Sequence, residues 1–572
     1  MERRDLLASV IGLRDSDDQS GLQDPLPASR FANQEIPSVT RSTAGLEPYT
    51  GTFGPGQLLH LLRRTLFGPG RADVDLFLGQ PLDQVVNVLL TIPPLETSLP
   101  LIYATATTET TAVGSTWVGA TTNDNSSGRT ASLKAWWLSL MLNGQPSLRE
   151  KMVLFWHNHF VAATATVADP RFFYRYVDLL RRSSLGNFKN LTREITIDGA
   201  MLRYLNGNRN SASAPDENYA RELQELFTIG KGLEVGPGDY TNYTEQDVKA
   251  AARVLTGWRD MKNADGSVGA VTSRFDATRH DTNAKTFSYR YNGITIAGGT
   301  DGLRELNDML DMIFAQPETA RFICRKLYRW FVYYVIDPWT EANIIAPLAD
   351  TLRASNFDIL PVLQLLFKSA HFFDPVNVGC VIKSPLDHVL SVCRQFAVSF
   401  PAEADGPAKQ YGMWNYLVGQ ASALQQNPGD PPDVSGWHAY YHDPEYYELW
   451  INSDTLPKRS SWTTRIVTTG YSTAGAKIVV DPLAFVRAMP NPADPNAVIE
   501  ESVHYLFANP VTDNQKAFLK NVLIPGLPDY EWSIEWGKYL ADPANATNAN
   551  AVKSKLTALF NFMMQMPEYQ LM

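Results

Sequence analysis

Helical periodicity recurs along most of this chain, and it is the feature that most narrows the possible folds. Apolar side chains return every three or four residues in one segment after another. Extended patterns are few: only residues 286–296 and 463–480 are rich enough in β-branched and aromatic residues to predict hairpins. The sequence therefore predicts a mainly α, multi-helix globular fold with long ordered loops and small β-hairpins. Helices are predicted at residues 56–67, 82–90, 133–142, 146–160, 171–182, 216–229, 245–258, 302–314, 317–334, 341–354, 359–367, 385–400, 496–507, 513–522 and 552–564.

Changes in composition along the chain divide it into four predicted regions. Residues 1–55 are polar and rich in Pro, Gly and Ser, which predicts an extended N-terminal arm. Residues 56–400 form the main helical domain, with an irregular Thr/Ser-rich insertion at about 105–132. Residues 401–480 are predicted to be a loop and hairpin region with one short helix. Residues 481–572 are predicted to be C-terminal helices packed on the main domain.

Charge and cysteine content exclude several classes of function. The chain has 50 Lys and Arg against 60 Asp and Glu, a net charge of −10. Such an acidic balance argues against a nucleic-acid partner, because nucleic-acid binding usually depends on a basic surface. No apolar run reaches the length of a membrane span. The three cysteines fit neither a disulfide framework nor a zinc pattern.

The N-terminus resembles a shortened twin-arginine export signal. Arg3 and Arg4 precede a short apolar run, and Arg14 and Asp15 then interrupt it. No small-residue cleavage site follows a full apolar stretch. A cytoplasmic location is therefore favoured over export, with export as the alternative.

Motifs spread along the chain resemble an uncharacterised bacterial family, domain of unknown function 1800. They occur in the expected order and cover most of the sequence after about residue 56. The resemblance implies no established activity. It implies a sulfatase-like partner, because family members are often encoded beside such a protein. The motifs include His60-Leu-Leu-Arg-Arg64, Phe155-Trp-His-Asn-His-Phe160, Glu217-Asn-Tyr-Ala-Arg-Glu-Leu223, Lys383-Ser-Pro385, Pro432-Asp-Val-Ser-Gly-Trp437 and Pro567-Glu-Tyr-Gln-Leu571.

The helix after Pro215 carries the most informative polar pattern. Asn218, Arg221, Glu222 and Glu225 recur at positions i, i+3, i+4 and i+7, so they share one face. Arg221 and Glu225 are predicted to form an ion pair. Two carboxylates held by an arginine can supply an acid and a base or hold a divalent cation. The alternative is a solvated helix face.

Other candidate residues lie on separate segments. His157 and His159 are two positions apart, so a regular helix points them away from each other and they cannot ligate one metal from one face. His280 and Lys285 lie in a polar loop, where a histidine can act as a base. The aromatic surfaces of Trp258 and Trp437 can stack on sugar rings, although such residues more often pack in the core.

These candidates lead to two hypotheses of different class. No nucleophile elbow, P-loop, dinucleotide fingerprint or HExxH motif is present. The first hypothesis is an acid–base or metal-assisted hydrolase of a carbohydrate or peptide-like polymer, with a divalent cation as the candidate cofactor. Its catalytic residues are Glu222, Glu225, His157 and Arg221, and its substrate-binding residues are Asn218, His159, Trp258, His280, Lys285 and Trp437. The second hypothesis is a structural or assembly subunit of a larger complex, with a homo-oligomer among the expected states.

Overall fold

Helices dominate the computed structural model, which describes residues 42–95, 98–262, 271–437 and 450–572. The predicted mainly α fold is confirmed. Two of the helices continue through π-helical turns, α10 at Leu223–Thr228 and α14 at Glu341–Ile345. The helices are α1 Pro55–Thr65, α2 Arg71–Phe77, α3 Leu82–Leu89, α4 Ser126–Asn143, α5 Arg149–His159, α6 Thr164–Val167, α7 Pro170–Arg182, α8 Phe188–Thr196, α9 Gly199–Tyr204, α10 Asn218–Glu222, α11 Glu245–Val254, α12 Gly302–Phe314, α13 Pro317–Phe331, α14 Pro338–Thr340, α15 Ala346–Ala354, α16 Ile359–Phe367, α17 Pro385–Gln395, α18 Pro407–Ala423, α19 Thr455–Thr468, α20 Pro482–Arg487, α21 Pro495–Leu506, α22 Asp513–Leu523, α23 Asp529–Ala541 and α24 Ala546–Met563.

The strands pair as short antiparallel hairpins. The pairs are β1 Glu234–Gly236 with β2 Asp239–Tyr240, β3 Trp258–Lys262 with β4 Val271–Phe275, β5 Lys285–Thr286 with β6 Thr295–Ile296, and β7 Tyr471–Thr473 with β8 Ala476–Ile478. Strands β5 and β6 form the hairpin predicted at residues 286–296, and they lie at the two ends of that range. The hairpin predicted at residues 463–480 is shorter than expected, because residues 463–468 belong to α19.

The hairpin β3–β4 was missed by the periodicity. The pattern predicts a helix through Trp258, but α11 ends at Val254 and Trp258 begins β3. Gly257 makes the turn with a φ of +94°, and a Cβ there would lie 2.8 Å from the Asp276 carbonyl oxygen. Only glycine fits this turn. The helix therefore ends before Gly257, although the apolar pattern of the sequence continues through Trp258.

Two regions predicted to be irregular contain long helices. The helix α4 begins at Ser126, because the Asn125 side chain accepts a hydrogen bond from the Gly128 amide and caps it. The segment before it is held in place by the buried Arg129, whose guanidinium lies 2.6 Å from the Glu109 carboxylate. The predicted short helix of the 401–480 region is the 17-residue α18.

Buried apolar side chains from Leu58 in α1 to Tyr569 near the end of the chain belong to one connected core. The C-terminal region joins it through buried hydrogen bonds: the Tyr505 hydroxyl donates to the Pro69 carbonyl at 2.9 Å, and the Lys383 amide donates to the Gln570 carbonyl at 2.8 Å. Most of the predicted N-terminal arm, and the export-like segment with it, lies outside the described residues.

Among the residues that the structure describes, no helix has both the length and the apolar character required to cross a membrane.

Candidate functional site

The helix that carries most of the predicted catalytic residues changes its winding halfway along. Helix α10 gives way at Leu223 to a π-helical turn, in which the Thr228 hydroxyl donates to the Leu223 carbonyl at 2.5 Å. A π-turn holds more residues than an α-turn, so Glu225 leaves the row that α-helical spacing assigns to it. Arg221 instead donates to both carboxylate oxygens of Glu245, at 2.6 and 2.7 Å. The predicted ion pair between Arg221 and Glu225 is wrong.

Glu225 has partners of its own. Its carboxylate accepts a hydrogen bond from the Tyr243 hydroxyl at 2.8 Å and lies 3.8 Å from the Lys231 ammonium. Burial and this carboxylate together raise the pKa of Tyr243. The Arg221 guanidinium lowers the pKa of Glu245. Asn218 is exposed, and Arg221, Glu222 and Glu225 are each partly exposed. This flank is therefore a network of partly exposed contacts that ties α10 to α11 and its preceding loop.

His157 lies among aromatic rings on α5, a helix whose residues are all buried. Its Nδ1 is 2.9 Å from the Tyr176 hydroxyl, which itself donates to the Phe160 carbonyl at 2.7 Å. Because the Tyr176 hydroxyl donates its proton to the Phe160 carbonyl, it can only accept a hydrogen bond from His157. His157 Nδ1 therefore carries a proton and donates it. Its Nε2 accepts no hydrogen bond from the described residues. Burial lowers the pKa of His157 to about 3, and the Trp437 ring lies 5.5 Å away.

His159 points to a different part of the core. Its Nε2 donates to the Phe227 carbonyl at 3.0 Å, at the end of the π-turn. The Lys326 ammonium lies 3.0 Å from its Nδ1, and Lys326 also donates to the Leu226 carbonyl. Burial and the nearby Lys326 hold the pKa of His159 well below its usual range. The two histidines face apart, as their spacing predicts.

Two further predicted residues, His280 and Lys285, meet around the buried carboxylate of Glu305, and Trp258 lies close to them. The Lys285 ammonium and His280 Nε2 lie 2.5 and 3.2 Å from the same oxygen of Glu305, and all three side chains are fully buried. Trp258 joins through Phe275, whose ring lies between those of Trp258 and His280 at 5.2 and 5.1 Å. This cluster closes the base of the β3–β4 hairpin.

The predicted site residues therefore occupy separate places. They form three separate groups: the polar residues of α10, the contact between His157 and Trp437, and the side chains around Glu305. In the described ranges, no group of three or more His, Cys, Asp or Glu side chains is arranged to hold a metal ion. The amide-rich loop after α9 uses its side chains internally: Asn208 donates to the Asp260 carboxylate, and Asn210 donates to the Ala252 carbonyl.

A large cavity lies elsewhere, beside helices α7, α8 and α9. Its volume is about 1020 Å³. The β4 strand and the segment before α4 complete its walls, through Thr272 and Ser273 on one side and Thr116 and Gly119 on the other. Charged side chains from the three helices also line it: Arg175, Asp178, Arg182, Arg193, Glu194 and Asp198.

Asp198 stands at the start of α9 with one oxygen engaged and one available. Its Oδ1 accepts hydrogen bonds from the amides of Ala200 and Met201, at 2.9 and 3.3 Å. Its Oδ2 accepts none from the described residues. Burial raises the pKa of Asp198 to about 6, against the opposing effect of these amides and of Arg175. A carboxyl with such a pKa can exchange a proton near neutral pH.

Of the three arginines that line the cavity, Arg175 is the one best suited to bind a substrate. Arg182 pairs with Asp178 at 2.9 Å, and Arg193 lies 3.4 Å from Glu194. Arg175 makes no ion pair or hydrogen bond within the part of the chain that the structure describes, although its charge acts on Asp198. A lone guanidinium on a cavity wall beside a titratable carboxyl is suited to an anionic group.

This cavity was not predicted from the sequence. The available signal was local: Asp198 precedes Gly199, and a Cβ at Gly199 would lie 2.4 Å from the Phe172 ring. The glycine lets α9 approach α7 closely. Nothing in the spacing shows that Arg175, one helix away, lines the same cavity.

Comparison with known protein families gives a match over most of the chain. The model of a family described as "Protein of unknown function (DUF1800)" matches residues 60–571. No curated protein and no solved structure matches the chain.

Proposed function

The chain belongs to DUF1800, a family of proteins of unknown function, and from the cavity beside α7–α9 we propose that it is an acid–base hydrolase of an anionic carbohydrate or peptide-like polymer. The observation that carries the proposal is Asp198, a partly buried carboxyl with an available oxygen and a pKa of about 6. It lines the same cavity as Arg175, which has no ion-pair partner among the described residues. A volume of about 1020 Å³ is enough for several units of a polymer.

The proposed chemistry needs one proton shuttle. The ionised Asp198 takes a proton from a water molecule, whose oxygen bonds to the scissile carbon. The bond from that carbon to the leaving oxygen or nitrogen breaks, and the leaving atom receives the proton from Asp198. The carboxyl thus ends in its starting state. Arg175 binds an anionic group of the substrate and fixes the scissile bond near Asp198.

A pair of matched variants tests the proposal. The protein is incubated with polygalacturonate, with poly-glutamate, and with neutral dextran as a control, and new reducing ends or amines are measured. We expect turnover of an anionic polymer but not of dextran. Asp198→Asn is expected to lower kcat at least 100-fold, whereas Arg175→Gln is expected mainly to raise KM.

The comparison variant is Glu222→Gln, on the flank of α10 that the sequence favoured. It is expected to keep nearly full activity. If Glu222→Gln abolishes turnover and Asp198→Asn does not, the site lies on α10 and the cavity is not catalytic. If the wild-type protein cleaves neither anionic polymer, the proposed substrate class is wrong.

The second candidate function is a structural or assembly subunit, and one surface favours it. Helices α22–α24 expose large apolar side chains, among them Phe518 (52% exposed), Tyr530 (61%) and Phe562 (38%). The rings of Phe518 and Phe562 lie 5.2 Å apart, so they belong to one patch. Exposed apolar patches often mark protein interfaces. Light scattering of the wild-type protein and of Phe518→Ser distinguishes an assembly from a monomer.

A further inference from the structure

The first family motif, His60 to Arg64, lines a second cavity that has no part in the proposed hydrolase. The cavity lies between α1 and the loop that joins α21 to α22, and its volume is about 260 Å³. A cavity of roughly 150 Å³ is known to accept benzene, so this one has room for a substituted ring. Its apolar lining includes Leu59, Phe373, Val503, Phe507 and Val511.

One buried cation that lines this cavity has no carboxylate partner among the residues that the structure describes. Arg63 is 5% exposed, and its Nη2 donates to the carbonyls of His504 and Tyr505 at the end of α21. Its Nε and Nη1 make no hydrogen bond with the described residues, and Arg63 forms no ion pair with them. The carboxylate of Glu500, which also lines the cavity, is taken by Lys516 at 2.6 Å. The cavity therefore holds a charge that an anion can satisfy.

A buried acceptor stands on the same face of α1. His60 is 2% exposed, and its Nε2 donates to the Phe372 carbonyl at 3.1 Å. That bond fixes the proton on Nε2, so Nδ1 is left as an acceptor, and it has no partner among the described residues. His60 and Arg63 are three residues apart on a helix, which makes them neighbours on one face. An unsatisfied buried acceptor is costly, so a ligand that donates a hydrogen bond here gains affinity.

We propose that this cavity is a binding site for a small aromatic carboxylate that carries a hydroxyl group. The carboxylate pairs with Arg63, the hydroxyl donates to His60 Nδ1, and the ring fills the apolar space between α1 and the α21–α22 loop. A charged hydrogen bond to the guanidinium is the main source of affinity, and the histidine provides selectivity for a hydroxylated ring.

Isothermal titration calorimetry with 4-hydroxybenzoate, benzoate and 4-hydroxybenzamide tests each contact separately. We expect saturable one-to-one binding of 4-hydroxybenzoate. Benzoate, which lacks the donor, is expected to bind several-fold more weakly. The neutral amide is expected to bind at least tenfold more weakly. If the amide binds as well as the acid, or if none of the three binds, the proposal is overturned.

Two variants check the location of binding. Ala508→Phe places a ring into the cavity from the loop after α21 and leaves Arg63 and His60 intact, so it is expected to abolish binding. Ala508→Ser leaves the space open and is expected to bind like the wild type. Arg63→Met also removes the hydrogen bonds that cap the end of α21. Ligand binding by this variant is therefore compared with the wild type after its circular dichroism spectrum is shown to be unchanged. Binding by Ala508→Phe at wild-type strength would place the ligand elsewhere.

Discussion

At the scale of single residues, the titration of Asp198 connects the proposed chemistry to stability. Its pKa is about 6 in the folded protein, against 3.8 for an ordinary aspartate, because burial disfavours the ionised form. The folded state therefore binds the proton more tightly than the unfolded state. Ionising Asp198 therefore lowers the free energy of unfolding. This loss of stability is absent below pH 4, develops as the pH rises from about 4 to 6, and is complete above pH 6.

Asp198→Asn is therefore expected to stabilise the protein, although it removes the proposed activity. Asparagine caps a helix about as well as aspartate, so the bonds to Ala200 and Met201 are kept. We expect the variant to be more stable than the wild type by about 2 kcal/mol at pH 8 and equal to it at pH 4. Urea unfolding at the two pH values measures the difference. A variant less stable than the wild type at pH 8 would show that the Asp198 charge is well solvated.

The candidate residues show which part of a site can be predicted from spacing. The opposed directions of His157 and His159 follow from helical geometry and are found as expected. The ion pair of Arg221 with Glu245 joins two helices, and the sequence does not state which helices are neighbours. Arg175 and Asp198 are brought to one cavity by the packing of α7 on α9, which rests on the absent side chain of Gly199.

At the scale of elements, the π-turn after Glu222 decides which residues are coupled. An unbroken α-helix would couple Arg221 to Glu225, whereas the structure couples Arg221 to Glu245 on α11. Double-mutant cycles with Arg221→Met are expected to give about 0.5 kcal/mol for Glu245→Gln and nearly zero for Glu225→Gln. The value is small because both partners are about one-third exposed. A larger coupling to Glu225 would mean that the helix runs through Leu223 without the π-turn.

Helix boundaries were predictable where local signals agree with packing. Most strongly periodic helices, such as α12 and α13, lie close to their predicted positions. The helix α18 was predicted far too short because Gly412 and Gly419 weaken its local preference. Its stability comes from packing against α4 and β7, where Gly412 faces Thr473 closely. Such long-range contacts cannot be read from a local window.

At the scale of the whole molecule, buried polar links connect distant parts of one core. The Lys151 ammonium of α5 pairs with the Asp387 carboxylate of α17, and the two side chains are 3% and 7% exposed. Asp387 also accepts a hydrogen bond from Ser384 at 2.8 Å. The adjacent Lys383 amide joins the C-terminal Gln570. These links predict that residues 481–572 unfold together with the helices of the predicted main domain.

Hydrogen exchange of Asp387→Asn tests this prediction of a single cooperative unit. Removing the carboxylate leaves the Lys151 charge buried without its partner, which is expected to cost about 3 kcal/mol. If the core is one unit, amides in α5, α17 and the C-terminal helices α21 to α24 lose protection by the same amount. Lys458→Met, which removes an exposed pair with Asp454, is expected to change protection by less than about 0.5 kcal/mol. Loss of protection confined to α5 and α17 would instead mean that the C-terminal helices are an independent domain.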